Sequence, residues 1–338
     1  MSHPETDLEI LSAERMRLIA RLLRGRAGLF DHLTGLPAET LTGRPVFDDS
    51  TAANILAHIA SWDEFFAARL EEVLAGRGAA IQPADEATAI DERNAFTHRQ
   101  RRHWTLDRSL AALGAARADL LAAFNDIPPE SLHTVIDVPW GQPTVARWIE
   151  ICIEHDAEHA AHLREWRTKL GEAAQETWHS TGPGSVLAAA LIARREALLA
   201  HMAFVPPQEQ ETLPVVGAWT LKDLAGHVAD WEVQGLVFIR AILARQEPVT
   251  ESGWELDRWN AEKAAARAGE PWEKTWAGLL AARRDLLAML RTLDDDALNT
   301  PFEGPLGGTP YNWFYMVIDH DRAHTEDLWR IYGLDATG

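Results

Sequence analysis

Thr51, His58 and Trp62 reappear 169 positions later as Thr220, His227 and Trp231. Trp148, His155 and His159 reappear 165 positions later as Trp313, His320 and His324. His32 and Pro37 match His201 and Pro206 at 169, and Asn94 matches Asn260 at 166. The offset shifts only between helical stretches, as small loop insertions would make it do. Self-similarity of this kind means that one structural unit has been copied. The chain therefore reads as a tandem duplication, with one bundle over residues 1–172 and a second over 186–338. A linker over 173–185 joins them, where Thr181-Gly182-Pro183-Gly184 breaks the helical pattern.

Within each copy the apolar residues recur at threes and fours, the mark of amphipathic helices, and no convincing strand pattern interrupts them. In the first copy, helix one is expected over 7–36, ended by Gly35 and Pro37. Helix two is expected from an N-cap at Thr51 to about Gly76. Helix three should run from about Leu106 to Asn125, and helix four from an N-cap at Thr144 to about Gly171. Residues 77–100 read as a polar crossover, too long for a hairpin. Such a crossover lets helices two and three run the same way, which predicts an all-α fold of two four-helix bundles in up-down-down-up order.

His155 and His159 are one turn apart on a helix, so their rings share a face, and that face is the apolar stripe Trp148, Cys152, Leu163, Trp166. The second copy repeats the arrangement with His320 and His324 among Trp313, Val317, Leu328 and Ile331. His58 lies on the stripe Ile55, Ile59, Trp62 of helix two, about two turns (~10 Å) in, and His227 lies likewise among Leu224, Val228 and Trp231. The up-down-down-up order brings these depths together. Each bundle thus offers three inward histidines from two helices. Three imidazoles with an open fourth position suit a catalytic divalent metal, whereas structural zinc is closed by four ligands. Leaving so many buried rings without partners would cost several kcal/mol.

Composition narrows the partners. Hydrophobic residues make up 46% of the chain, ample for two cores, and the formal net charge is −19. That excess of acid disfavours a nucleic-acid groove or an anionic membrane surface. No apolar run is long enough to span a membrane. A single cysteine, Cys152, and an N-terminus without a basic-then-apolar leader point to a reducing, cytoplasmic setting.

The run Thr220-Leu221-Lys222-Asp223-Leu224-Ala225-Gly226-His227-Val228-Ala229-Asp230-Trp231-Glu232, with His320 and His324 about 90 residues on, resembles the DinB-like (YfiT-like) superfamily. Residues 55–63 with His155 and His159 give the same resemblance in the first copy. It implies up-down-down-up bundles, a three-histidine site loaded with zinc, nickel or iron, and frequent dimers. It also implies chemistry on small electrophilic compounds, of the thiol-S-transferase or hydrolase type, in detoxification or self-resistance, with a low-molecular-weight thiol as an optional cosubstrate. Trp254 to Asn260, followed by Trp272, is most similar to the cyclopropane-hydrolase branch. Because such bundles pair, the two repeats are expected to form an intrachain pseudo-dimer, with a homodimer of the chain left open. A non-catalytic protein that sequesters metal or a small molecule is the competing expectation.

His32, His201, Asn94 and Asn260 are candidate catalytic or substrate-contacting residues near the mouths of the sites. A helix-end histidine favoured by the dipole is the plainer account of the first pair, and a cap on helix three that of the second. Asp156 and Asp321 either orient a ligand or lie on a solvated face. His162 and its counterpart Asp327 read either as a further ligand or acid/base group or, more plainly, as exposed helix-end groups. Cys152, replaced by Val317 in the second copy, reads as core.

Overall fold

The computed structural model describes residues 4–77, 87–136, 142–171, 181–247, 255–303 and 308–332. It divides into two compact units, one built from residues 1–33 and 37–173, the other from 34–36 and 174–338. The expected linker lies largely outside the described residues. The first unit contains α1 (Pro4–Phe30), α2 (Ala38–Gly43), a hairpin of β1 (Pro45–Phe47) and β2 (Ser50–Thr51), α3 (Ala52–Leu74), α4 (Ala87–Arg101), α5 (Leu106–Asn125) and α6 (Val145–Lys169). The second contains α7 (Gly184–Met202), a hairpin of β3 (Pro214–Val216) and β4 (Trp219–Thr220), α8 (Leu221–Leu243), α9 (Leu256–Arg267), α10 (Trp272–Leu290), α11 (Asp295–Asn299) and α12 (Pro310–Ile331).

Helix starts follow the expected chemistry. Thr144 Oγ1 accepts from the Arg147 amide at 3.1 Å, and Thr51 exchanges hydrogen bonds with Asn54. Thr220 and Asp223 form a reciprocal capping box. Helix one differs at its end. It closes at Phe30, and the chain turns through Gly35, whose φ of 77° favours glycine.

The crossover is not the plain connection expected. Residues 87–101 form α4, and α9 is its counterpart in the second unit. These helices have no continuous apolar stripe, and Ile90 and Phe96 of α4 are exposed. Polar contacts hold α4 instead: Arg101 Nη1 donates to the Ala57 carbonyl at 3.1 Å and Arg93 Nη2 to that of Ser61 at 3.0 Å. Arg93 also lies 5.0 Å from the Trp62 ring centre.

The same contacts fix chain direction. Along α3 the partners ascend from Ala57 to Ser61 while those on α4 descend from Arg101 to Arg93, so α4 runs back along α3. α5 then starts level with the start of α3, and the two run the same way, meeting at Asp63 and Arg117. α6 runs opposite to α3, since His58 meets His155 and Phe66 meets Trp148, so that contacts ascending along α3 descend along α6. The core of the first unit gathers Leu22, Phe66, Leu120, Phe124, Trp148 and Ile149, all buried. That of the second gathers Leu198, Leu224, Val228, Leu279 and Leu328.

Candidate metal centres

α3 presents His58 and α6 presents His155 and His159, with Nε2 of His155 3.2 Å from that of His58 and 3.1 Å from that of His159. In the second unit α8 supplies His227 and α12 supplies His320 and His324, and the matching separations are 2.9 and 3.1 Å. Nitrogens about 2.0–2.1 Å from one divalent ion, at angles of ~90–105°, stand about 2.9–3.3 Å apart. The six histidines therefore form two triads with metal-binding spacing.

Electrostatics favour the neutral rings that a metal needs. Burial, then His155, pushes His58 down to about 4. Burial, then His155 and His58, pushes His159 down to about 2. Burial followed by the other ring nitrogens takes His227 to about 3 and His320 to about 4. A neutral imidazole carries one N–H, so three converging Nε2 atoms cannot all satisfy one another by hydrogen bonds. A cation among them resolves the conflict, and the donor set fits it.

Beneath each triad lies a buried charge quartet. Arg26 of α1 donates to Asp63 of α3 at 2.9 Å and to Asp156 of α6 at 2.9 and 3.2 Å. Arg117 of α5 donates to Asp63 at 3.0 and 3.1 Å and to Asp156 at 2.9 Å. Arg195, Glu232, Arg283 and Asp321 repeat the arrangement in α7, α8, α10 and α12. Asp156 and Asp321 are thus fully buried structural anions, and the solvated face weighed for them is corrected. The two quartets differ in one oxygen. Both Asp63 oxygens accept hydrogen bonds, whereas Glu232 Oε2 has no partner among the described residues. Burial works to raise Asp63, yet Arg117 and Arg26 outweigh it and hold the carboxyl below its usual range. At Glu232 burial prevails and the carboxyl is raised.

The lowered Asp63 gives a pH expectation. A carboxyl that titrates lower when folded than when unfolded stabilises the fold fully above its unfolded pKa of ~3.9. That contribution is lost as pH falls through the lower, folded value. Urea unfolding between pH 5 and pH 3 should show the first unit losing stability steeply, and Asp63→Asn should flatten the slope. An unchanged slope would refute the assignment.

A cavity of about 560 Å³ opens onto the first triad. Phe47, Trp62 and Ile90 supply apolar walls, while Asn94, His98 and His162 supply polar ones. Asn94 Oδ1 accepts from the Trp62 indole at 3.1 Å, and Asn260 accepts from Trp231 at the same distance. Neither asparagine caps the following helix, since Thr105 does so for α5 and Pro271 precedes α10. His162 is half-buried, edge-on to Phe47 at 5.3 Å and 5.6 Å from His159, and is not the exposed helix-end group expected. His98 escaped the sequence reading because α4 itself did. His32 follows α1 and is not among the cavity residues. His201 is fully buried, donates from Nδ1 to the Ala197 carbonyl at 2.6 Å and lies 5.4 Å from the Trp329 ring. Cys152 is buried, and burial pushes its thiol far up, away from nucleophilic use.

The second centre has different surroundings. Ser50, which lines the first cavity, is replaced by Trp219, whose ring lies 4.5 Å from that of His227. His98 is replaced by Ala264 and His162 by Asp327, and Asp327 Oδ2 stands 3.4 Å from His324 Nδ1.

The sequence model of the DinB superfamily matches the chain twice, over residues 21–163 and 190–328. The chain belongs to the DinB superfamily. Each match contains one complete histidine triad, so the duplication copied the triad with the DinB unit. No curated protein and no solved structure matches the chain. No helix among the described residues is long and apolar enough to cross a membrane.

Proposed function

We propose that the protein is a metal-dependent enzyme acting on a small electrophilic compound, of the thiol-S-transferase or hydrolase type, with its working site in the first unit. The observation that carries this is the opening of the His58, His155 and His159 nitrogens onto a 560 Å³ cavity, within the size range of small-molecule sites. Zinc, nickel or iron held there would supply a Lewis acid and lower the pKa of a thiol or water nucleophile. Phe47, Trp62 and Ile90 take the apolar part of the substrate and exclude water from it. Asn94, its carbonyl oxygen fixed by Trp62, orients a polar substrate group with its free amide. His98 and His162 in the cavity wall hold or pass a proton.

For the second unit the non-catalytic reading has its own support. Trp219 beside His227 occupies the place where Ser50 leaves the first centre open. That centre suits metal retention better than turnover.

A screen of low-molecular-weight thiols with electrophiles, alongside hydrolysis assays, tests both readings. Activity should fall at least tenfold in His58→Ala and His155→Ala and change little in His227→Ala. Activity that survives complete chelation, with metal shown to be absent, would sink the proposal.

A further inference from the structure

Phe66 sits in the core of the first unit, its ring 5.8 Å from that of Trp62 and edge-on to that of Trp148 at 5.3 Å. The duplication offset places Gly235 at the same position of α8. The flanking rings are kept, as Trp231 and Trp313, with Phe238 4.6 Å from Trp313, but position 235 itself supplies no ring. A Cβ built on Gly235 would meet nothing within 4 Å. The space is a cavity of about 490 Å³ lined by Trp231, Gly235, Phe238, Trp313, Val317 and His320, among others. Only Trp231 and His320 correspond to residues that line the first unit's cavity, so this is a different place in the fold.

We infer that this cavity is a binding site for a neutral, flat aromatic molecule, which takes the position that the Phe66 ring holds in the other repeat. The first unit itself shows what fits between such a pair of tryptophans. The volume leaves room for a fused or linked pair of rings, beyond a single phenyl group. Among the described residues the wall offers a cationic ligand no free counterion. The carboxylate on the wall, Asp319, is already paired with Arg322 at 2.8 Å. Indole faces and the Val317 side chain offer stacking and apolar contact instead. The occupant would also touch His320, a member of the second triad. This inference does not depend on the proposed activity of the first unit.

N-phenyl-1-naphthylamine, a neutral aromatic probe whose fluorescence rises in apolar surroundings, tests it on the full chain. The unaltered protein should bind one equivalent. Gly235→Phe should weaken binding at least tenfold, with Gly235→Leu as a smaller filler should the first variant melt at a lower temperature. Phe66→Gly should add a second equivalent. No binding to the unaltered protein, or affinities within twofold in both filled variants, would overturn the inference. So would sedimentation showing that Gly235→Phe dissolves a dimer, since a second copy would then be the occupant.

Discussion

Protein purified without a polyhistidine tag should carry two equivalents of divalent metal per chain. His324→Ala should lower the content to one equivalent, and adding His159→Ala should lower it to none, as read by elemental analysis. Both triads are complete: Nε2 of His155 and of His320 each lie 2.9–3.2 Å from the Nε2 atoms of their two partners, and all three ligand atoms of each set fall within 4.8 Å of one another. Removing one of three ligands leaves two imidazoles, and affinity should fall by more than the ~10–100-fold that loss of an outer-shell partner costs. His324→Ala and His159→Ala lie on different helices of different units, so the two losses should add. Circular dichroism should show each variant still helical. Metal content unchanged by both substitutions would disprove the assignment of the triads.

The second large effect belongs to the quartets. Arg117→Met keeps length and removes charge, leaving Asp63 and Asp156 buried with Arg26 alone. Breaking a buried ion network by deleting one partner costs about 3–5 kcal/mol, chiefly because an uncompensated charge stays in the interior. The urea transition of the first unit should shift accordingly, while Arg283→Met should act on the second unit. A loss below about 1 kcal/mol would mean that water reaches the site and screens it. Asp63→Asn should cost less than Arg117→Met, since an amide still accepts from both arginines.

Much of this architecture is legible in the sequence because apolar stripes announce it. Thr144 and Thr51 mark helix starts, and the stripes through His58, His155 and His159 put imidazoles on inward faces. What escaped has no such stripe. α4 is held by arginines on carbonyls and rings, so a search for apolar periodicity passes over it, and His98 with it. The quartets were missed because charged residues read as surface. Yet Arg26, Asp63, Arg117 and Asp156 recur as Arg195, Glu232, Arg283 and Asp321 at the same offsets as the matched histidines and asparagines. Charges that keep register with a core are core charges, and that signal was available. The exchange of Phe66 for Gly235 gains its meaning only from the walls around it.

The quartets bear on where the metal comes from. Each ties all four long helices of its unit together, and the ligand-bearing helices are anchored by acids of their own, Asp63 and Asp156 or Glu232 and Asp321. Helix placement therefore rests on internal ion pairs and apolar packing, unlike a zinc finger, where the ion itself folds the chain. A scaffold of this kind can give up its ion and take another without unfolding. Which ion it carries is then decided by supply and by the order of divalent affinities for imidazole, in which nickel exceeds iron. A surplus of one metal over another would then change which ion such histidines hold.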